Sequence, residues 1–175
     1  MQHSIRPLTS PDLESYRTLR LQALTECPAS FGATPATEQA QSDAQIVSRF
    51  GGSPGHIMWG GFDSNGKLCA TLGMYRDQSE KTAHKAHLFA MYVAARARDL
   101  GLARRMLETA VDHANALKLR QIMLGCNASN LAALRLYEQA GFSRYGLEPA
   151  ALYVDGEYFD EVLMVLALNA APQTA

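Results

Sequence analysis

Hydrophobic and polar residues follow two different spacings along this chain, and each spacing predicts a kind of secondary structure. Residues 4–8, Ser-Ile-Arg-Pro-Leu, predict a short first strand. Apolar positions then recur every three or four residues, which predicts a helix with Ser10 as its N-cap and Pro11 in its first turn. Those positions are Leu13, Tyr16, Leu19 and Ala23. A weaker helical pattern covers residues 35–50, after a loop broken by proline and glycine.

From residue 56 onwards the spacing changes to that of β-strands. Strands are predicted over 56–63 and 67–76, joined by a turn that contains Asn65-Gly66. This pair favours hairpins because both residues tolerate positive φ. A third strand is predicted at 83–93, and a helix at 101–118 follows it. The apolar face of that helix carries Leu102, Met106, Ala110, Ala114 and Leu117.

The last third of the chain predicts a strand at 121–126, a helix that ends near Gly141, and two strands joined at Asp155-Gly156. The helix between the strands at 83–93 and 121–126 requires these two strands to be parallel, whereas short turns make the others antiparallel. We therefore expect an α/β fold with a mixed sheet of about seven strands, mostly antiparallel with one parallel pair, and four flanking helices. Residues 1–169 are predicted to form a single domain, and residues 170–175 a flexible tail.

Composition and charge narrow the classes of function. The 175 residues suffice for one domain with a single core. A formal net charge of −1 leaves no overall basic field, so we expect no nucleic-acid partner. No signal peptide and no apolar run long enough for a bilayer are found, so we expect no membrane partner and a cytoplasmic protein. Cys27, Cys69 and Cys126 are too scattered to suggest a disulfide framework or a metal site.

The boundary between the strand at 83–93 and the helix at 101–118 is basic and carries small side chains. It reads Arg-Asp-Leu-Gly-Leu-Ala-Arg-Arg over residues 98–105. The N-terminus of a helix has unpaired N–H groups and a partial positive charge, so it binds anions. Gly101 and Ala103 let a ligand approach the backbone closely, and the arginines add positive charge. This combination suits a diphosphate group.

Two motifs resemble those of the GNAT N-acetyltransferase superfamily. The turn has the pattern R-x-x-G-x-A from Arg98 to Ala103, which is similar to that family's acyl-CoA-binding motif. Further along the chain, a second segment is similar to the family motif N-x-x-A-x-x-L-Y-E-x-x-G-F. Its matching residues are Asn130, Ala133, Leu136, Tyr137, Glu138, Gly141 and Phe142. The segment at 30–34 and the last strands, which contain D-G and D-E-x-x-M, extend the resemblance to nearly the whole chain.

The resemblance implies a GNAT-like fold whose central cleft opens where the two parallel strands separate, with acetyl-CoA in that cleft. Backbone groups of Met91, Tyr92 and Val93 would hold the pantetheine arm. The turn would hold the diphosphate through Arg98, Asp99, Leu100, Gly101, Leu102, Ala103 and Arg104. Asn130 and Tyr137 match positions that often touch the coenzyme.

Asp99 departs from the commoner form of the first motif, which has glycine at this position. A carboxylate that pointed towards the ligand would repel a diphosphate. We therefore expect Asp99 either to face solvent or to cap the following helix, since aspartate is a good N-cap residue.

The resemblance also implies direct attack of a neutral amine on the thioester, which needs a base and an acid. An alkylammonium group has a pKa near ~10, so a base or a water chain must remove a proton. Tyr137 is the predicted acid that protonates the departing thiolate. No motif fixes the base: His87 is our candidate, with Tyr92 and Glu26 as alternatives. The chemistry requires no metal.

We therefore expect an N-acetyltransferase with acetyl-CoA as cosubstrate and a primary amine, on a small molecule or a protein, as acceptor in a ternary complex. The alternative is a GNAT-like module that binds CoA without catalysis and acts as a sensor or partner subunit. A nucleotide-phosphate enzyme is disfavoured because the turn lacks the Lys-Ser/Thr ending of a P-loop. Members of the family often dimerise, so monomer and homodimer both stay open. The sequence does not identify the acceptor.

Overall fold

The fold is described from a computed structural model, which covers residues 3–51 and 55–168. The predicted tail at 170–175 lies outside the described residues. The strands are β1 (Ser4–Pro7), β2 (His56–Phe62), β3 (Leu68–Arg76), β4 (Lys85–Val93), β5 (Gln121–Asn127), β6 (Ser143–Val154) and β7 (Glu157–Ala167). The α-helices are α1 (Leu13–Glu26), α2 (Pro35–Gln39), α3 (Asp43–Ser48), α4 (Leu102–Ala116) and α5 (Leu131–Gln139). In the described ranges, no helix combines the length and the apolar character that crossing a bilayer requires.

The strands form one seven-stranded sheet in the order β1-β2-β3-β4-β5-β7-β6. β4 and β5 run parallel, and the other neighbouring strands run antiparallel. The prediction of a mixed, mostly antiparallel sheet with one parallel pair and flanking helices is therefore confirmed.

The single helix predicted over 35–50 is wrong, because the chain forms two short helices there, α2 and α3. Ser42 lies between them and caps the second one. Its hydroxyl accepts a hydrogen bond from the Gln45 amide at 3.3 Å, and its own amide donates to Gln45 Oε1 at 2.8 Å. This reciprocal pair is a capping box, which starts a new helix and so interrupts the longer pattern.

The predicted N-cap of the first helix is also wrong by one residue. The chain enters α1 through a short 3-10 turn, Ser10–Asp12, which has Thr9 as its N-cap. The Asp12 carboxylate accepts hydrogen bonds from the Thr9 amide at 2.9 Å and the Thr9 hydroxyl at 3.0 Å. Arg6 on β1 binds the same carboxylate at 2.7 Å, which holds the pKa of Asp12 down at about 2. The helix start is therefore fixed by this carboxylate.

Both predicted hairpins are present, but they turn in different ways. In the β6–β7 turn, Asp155 (φ 50°) and Gly156 (φ 89°) are both left-handed, as two-residue hairpin turns require. In the β2–β3 turn only Gly66 is left-handed, with φ 74°. There the Asp63 carboxylate accepts hydrogen bonds from the Asn65 and Lys67 amides, both at 3.0 Å, and closes a longer loop. The expectation that Asn65 and Gly66 both adopt positive φ in this turn is therefore wrong.

The core packs α4 against the sheet. The face predicted for this helix is buried at Leu102, Met106, Ala110 and Ala114, while Leu117 is half-buried beyond the helix end. Apolar side chains of β3 such as Leu72 and Met74 are completely buried beneath it. This packing fixes the start of α4 relative to β4, and with it the turn between them.

β4 and β5 separate after a short paired region, which opens the sheet. Their pairing runs from Lys85 opposite Gln121 to His87 opposite Met123. Beyond it, Ala90 has φ 51°, and Thr71 Oγ1 on β3 donates a hydrogen bond to its carbonyl oxygen at 3.0 Å. Such an irregularity bends a strand away from its neighbour. The carboxyl-terminal halves of β4 and β5 therefore form the two sides of a gap.

Candidate active site

A cavity of about 740 Å³ fills the gap between β4 and β5. Its wall includes most of the residues that the sequence assigned to the site. These are Met91, Tyr92, Val93, Arg98, Asp99, Gly101, Leu102, Ala103, Arg104, Asn130 and Tyr137. The volume and the mixed lining are of the size and kind that bind small ligands.

The turn before α4 contains two left-handed residues, Asp99 (φ 60°) and Gly101 (φ 72°). Gly101 is the N-cap residue of α4, and a Cβ built on it would meet no protein atom within 4 Å. The first amides of α4 have no partner inside the helix, and the residues that carry them, Leu102, Ala103 and Arg104, line the cavity. Asp99 is exposed and belongs to the cavity wall, and it does not cap the helix.

The basic side chains of the turn are held in three different ways. Arg98 Nε donates to the Val93 carbonyl oxygen at 3.0 Å, so this side chain folds back on β4. Arg104 Nε donates to Glu108 Oε1 at 3.0 Å on the exposed surface of α4. Arg105 instead reaches the carbonyl oxygen of His3 at 3.0 Å. Arg98 and Arg104 therefore border the cavity, and Arg105 anchors the N-terminal segment.

Leu100 and Leu102 of the predicted turn differ in their relation to the cavity. Leu100 is half exposed and is not part of the cavity wall. Leu102 is part of the wall, and its side chain is buried and lies close to Gly61 of β2.

On the opposite side of the gap, α5 presents Asn130 and Tyr137. The Asn130 side chain caps the helix by accepting a hydrogen bond from the Ala133 amide at 3.1 Å. Tyr137 is 7% exposed, and its ring packs edge-on against Phe142 with 5.9 Å between centroids. Burial, and to a lesser degree Cys126, raises the pKa of Tyr137. The phenol is therefore protonated at neutral pH and able to donate.

Tyr92 and Glu26 form a structural pair rather than a free base. The Tyr92 hydroxyl donates to Glu26 Oε2 at 2.6 Å, and Gln22 donates to the other carboxylate oxygen at 2.7 Å. These bonds, chiefly the one from Tyr92, lower the pKa of Glu26, and Arg98 lies 3.6 Å from the same carboxylate. Burial and Glu26 raise the pKa of Tyr92. The pair joins the end of α1 to β4, and neither member is set to take a proton at neutral pH.

His87 lies outside the cavity wall. Its Nε2 is 3.1 Å from Asp77 Oδ1, and its ring stacks on Tyr75 at 4.9 Å between centroids. It belongs to the paired part of β4, one residue before the gap begins. The structure does not bring His87 together with the other predicted site residues.

The further polar residues that the structure brings to the cavity wall include Asn127 and Glu161, together with Arg20 and Ser30. Asn127 is buried, and its Nδ2 donates to the Ala29 carbonyl oxygen at 2.6 Å, which ties the loop after α1 to the end of β5. Glu161 lies directly opposite Asn127 on β7. Sequence reasoning missed both, although an acid within the apolar segment 161–168 is a signal that could have drawn attention to Glu161.

No metal site is formed by the part of the chain that the structure describes, since no three His, Cys, Asp or Glu side chains come together there. The three cysteines are free thiols. Burial raises the pKa of Cys126 to about 11, so it is a protonated thiol rather than a nucleophile.

The chain is similar to known acetyltransferases in sequence and in fold. The model of the acetyltransferase (GNAT) family matches residues 19–142. YwnH of Bacillus subtilis (strain 168), whose name assigns it provisionally to the phosphinothricin acetyltransferases, is 26% identical over 153 residues. That match covers 82% of this chain and 94% of YwnH.

Solved structures share the fold. A GNAT superfamily phosphinothricin acetyltransferase from Sinorhizobium meliloti, in complex with acetyl-CoA, is similar with a TM-score of 0.84 and 20% identity, over 100% of this chain and 93% of that one. The ribosomal-protein-S18-alanine N-acetyltransferase of Escherichia coli is similar with a TM-score of 0.76 and 21% identity, over 99% of each chain. The chain therefore belongs to the acetyltransferase (GNAT) family, a family of acyl-transferring enzymes.

Proposed function

We propose that this protein transfers the acetyl group of acetyl-CoA to a primary amine by direct attack within a ternary complex. The observation that carries the proposal is that the left-handed turn at Gly101 and the phenol of Tyr137 line one cavity. The turn suits a diphosphate, and the phenol suits a leaving thiolate. A similar protein from Sinorhizobium meliloti binds acetyl-CoA in the same fold.

The described residues suit two parts of the coenzyme, its diphosphate and its pantetheine arm. The diphosphate would accept hydrogen bonds from the amides of the turn, where the missing Cβ of Gly101 leaves the approach open. Arg98 and Arg104 stand beside this position. The pantetheine arm would lie along Met91, Tyr92 and Val93, the part of β4 that has no pairing with β5. Its amide groups can then replace the missing strand partner.

The chemistry needs a protonated group beside the sulfur and a neutral amine beside the carbonyl carbon. Tyr137 holds its proton in the buried wall and would deliver it to the CoA thiolate as the C–S bond breaks. The acceptor would enter from the side formed by the loop after α1 and by β7, because Phe31 and Glu161 line that part of the wall. We propose a small molecule or a protein amine as acceptor, as in the names of the similar proteins.

The test combines binding and turnover on the wild-type chain. Calorimetry with acetyl-CoA measures binding, and release of free CoA thiol measures transfer to a panel of amines. The panel includes phosphinothricin, free amino acids, a polyamine and a peptide with an N-terminal alanine. We expect binding of acetyl-CoA and thiol release with at least one amine. Binding without release on any amine supports the non-catalytic CoA-binding alternative, and absence of binding overturns both.

A further inference from the structure

The side chain of Glu161 is a half-buried carboxylate in the wall of the cavity, and nothing in the mechanism above uses it. It makes no hydrogen bond or ion pair with any residue that the structure describes. Its carboxylate lies against the backbone of Gly125 on β5, since a Cβ built on Gly125 would be 2.5 Å from Glu161 Oε2. A carboxylate in a cavity wall without a cationic partner is poised for a cationic ligand.

The groups around Glu161 reinforce its need for a cation. β6 places Glu148 directly opposite it, and β5 places Cys126 within its electrostatic reach. α5 contributes Tyr137 to the same cavity wall, and Cys126 helps to raise the pKa of the Tyr137 phenol. Burial and then Glu148 raise the pKa of Glu161. The arginines of the region, Arg20, Arg98 and Arg104 in the cavity wall and Arg144 on β6, lie beside other carboxylates, those of Glu38, Glu26, Glu108 and Glu138. Glu148 therefore adds negative charge beside Glu161, and a positive ligand would balance it.

We propose that Glu161 is the general base of the reaction, binding the acceptor as a primary ammonium ion and taking one proton from it. The inference rests on the proposed acetyl transfer. It names the class of acceptor as well: a molecule that presents a protonated primary amine, since an alcohol or thiol brings no charge for Glu161 and Glu148 to attract.

The step balances as follows. The ammonium group gives one proton to the Glu161 carboxylate and becomes a neutral amine. The amine nitrogen forms a bond to the thioester carbonyl carbon, and the C–S bond breaks. As the amide forms, the nitrogen gives its second proton to water, while the CoA sulfur leaves as a thiolate and takes a proton from Tyr137, whose phenolate is then reprotonated from water. The products are the acetylated amine and CoA thiol.

The first test compares Glu161→Gln with Glu157→Gln, a matched change on the same strand outside the cavity wall. With the amine that reacts fastest, we expect Glu161→Gln to lower kcat/KM at pH 7 about 10²–10⁴-fold while acetyl-CoA affinity stays the same. The deficit shrinks as pH rises, because more of the amine becomes neutral in solution. A Glu161→Gln profile parallel to the wild-type profile overturns the proposal.

The second test moves the carboxylate without removing it. In Gly125→Ala the added methyl group would meet chiefly the flexible end of Glu161, so the chain should fold while the carboxylate shifts. We expect kcat/KM to fall in Gly125→Ala, and the same change to have little further effect in a Glu161→Ala background. Full additivity of the two changes contradicts the proposed contact.

A third measurement needs no turnover. The Glu161 side-chain carboxyl is followed by carbon NMR through a pH titration, with and without ethylammonium chloride. We expect a pKa above the ordinary value of glutamate, near ~4.3, and a shift of the signal on adding the amine. The inference is overturned if the pKa of Glu161 is that of an ordinary glutamate and its carbon signal does not move on adding ethylammonium. Failure of the wild type to transfer acetyl to any amine instead overturns the proposed function, so the two failures are distinguishable.

Discussion

The two ends of the cavity differ in how they are built. The proposed donor end consists of the turn at Gly101 and the free part of β4, which are adjacent in the sequence. The proposed acceptor end combines the loop after α1, the end of β5 and β7, which are far apart in the sequence. Asn127 connects two of these segments through its hydrogen bond to Ala29. The donor end is thus a local structure, and the acceptor end exists only when the sheet is assembled.

This difference explains why the donor can be proposed as acetyl-CoA while the acceptor is proposed only by its charge. A diphosphate is recognised by backbone amides and by the absence of a side chain at Gly101, which are features that a short motif specifies. An acceptor is recognised by side chains such as Glu161, whose neighbours are set by strand register. Substitutions at the two ends should therefore have separable effects on donor binding, acceptor use and stability.

The largest effect on turnover is expected for Tyr137→Phe, a change in the wall of the cavity. The ring still packs against Phe142, but the proton for the leaving thiolate is gone. We expect kcat to fall about 10²–10⁴-fold with unchanged acetyl-CoA affinity, measured by thiol release and calorimetry. Tyr75→Phe is the control, because Tyr75 stacks on His87 away from the cavity and should retain full activity. Equal turnover in both variants would remove the acid role.

The next largest effect is a loss of acetyl-CoA affinity in Gly101→Val, a change at the donor end alone. Gly101→Val places a β-branched residue at φ 72°, with a strain of about 1–3 kcal/mol, and sets its side chain where the diphosphate is proposed to bind. Gly66→Val is a close control, since Gly66 has φ 74° and equally open surroundings in the β2–β3 turn. We expect both variants to lose stability in thermal unfolding. Only Gly101→Val should lose acetyl-CoA affinity, by about tenfold or more; equal affinities would place the diphosphate elsewhere.

A smaller effect is expected at the acceptor end in Asn127→Ala. The buried side chain satisfies the Ala29 carbonyl oxygen and accepts from the Ser129 amide and hydroxyl. Its loss should cost about 1–3 kcal/mol in urea unfolding and raise the acceptor KM, because the loop after α1 loses its attachment to β5. Acetyl-CoA affinity should change little. The control is Asn115→Ala, because Asn115 is exposed on α4. Equal changes of unfolding free energy and acceptor KM in the two variants would show that the hydrogen bond from Asn127 to Ala29 does not hold the acceptor end.

The smallest effect is a gain, expected in Asp99→Gly. Removing the negative charge beside the proposed diphosphate site should improve acetyl-CoA binding by a few-fold, corresponding to about 1 kcal/mol at most in a solvated site. The gain should shrink at high salt because exposed charges are screened. Asp99→Asn separates the causes, since it removes the charge while keeping a residue that tolerates the left-handed φ of 60°. Weaker binding in both variants would show that Asp99 assists the ligand.

The sequence predicted the order of strands and helices, the parallel pair and the turn before α4. It failed where a local hydrogen bond competed with hydrophobic spacing, as at Ser42, where a capping box divides the second helical segment. It also assigned the base role to His87 from its side-chain chemistry alone. In the structure that residue belongs to the paired part of β4 and binds Asp77.

By itself the sequence determined the elements and the donor end, because both depend on residues close together in the chain: periodic apolar positions, turn glycines and a helix start. Only the tertiary structure decided the acceptor end. The placement of Glu161 beside Gly125 and Glu148 depends on the registers of β5, β6 and β7. A shift of one residue in β7 would turn that carboxylate to the other side of the sheet, and a shift in β5 or β6 would put a different residue beside it. The spacing of apolar and polar residues within one strand does not determine how that strand is aligned with its neighbours.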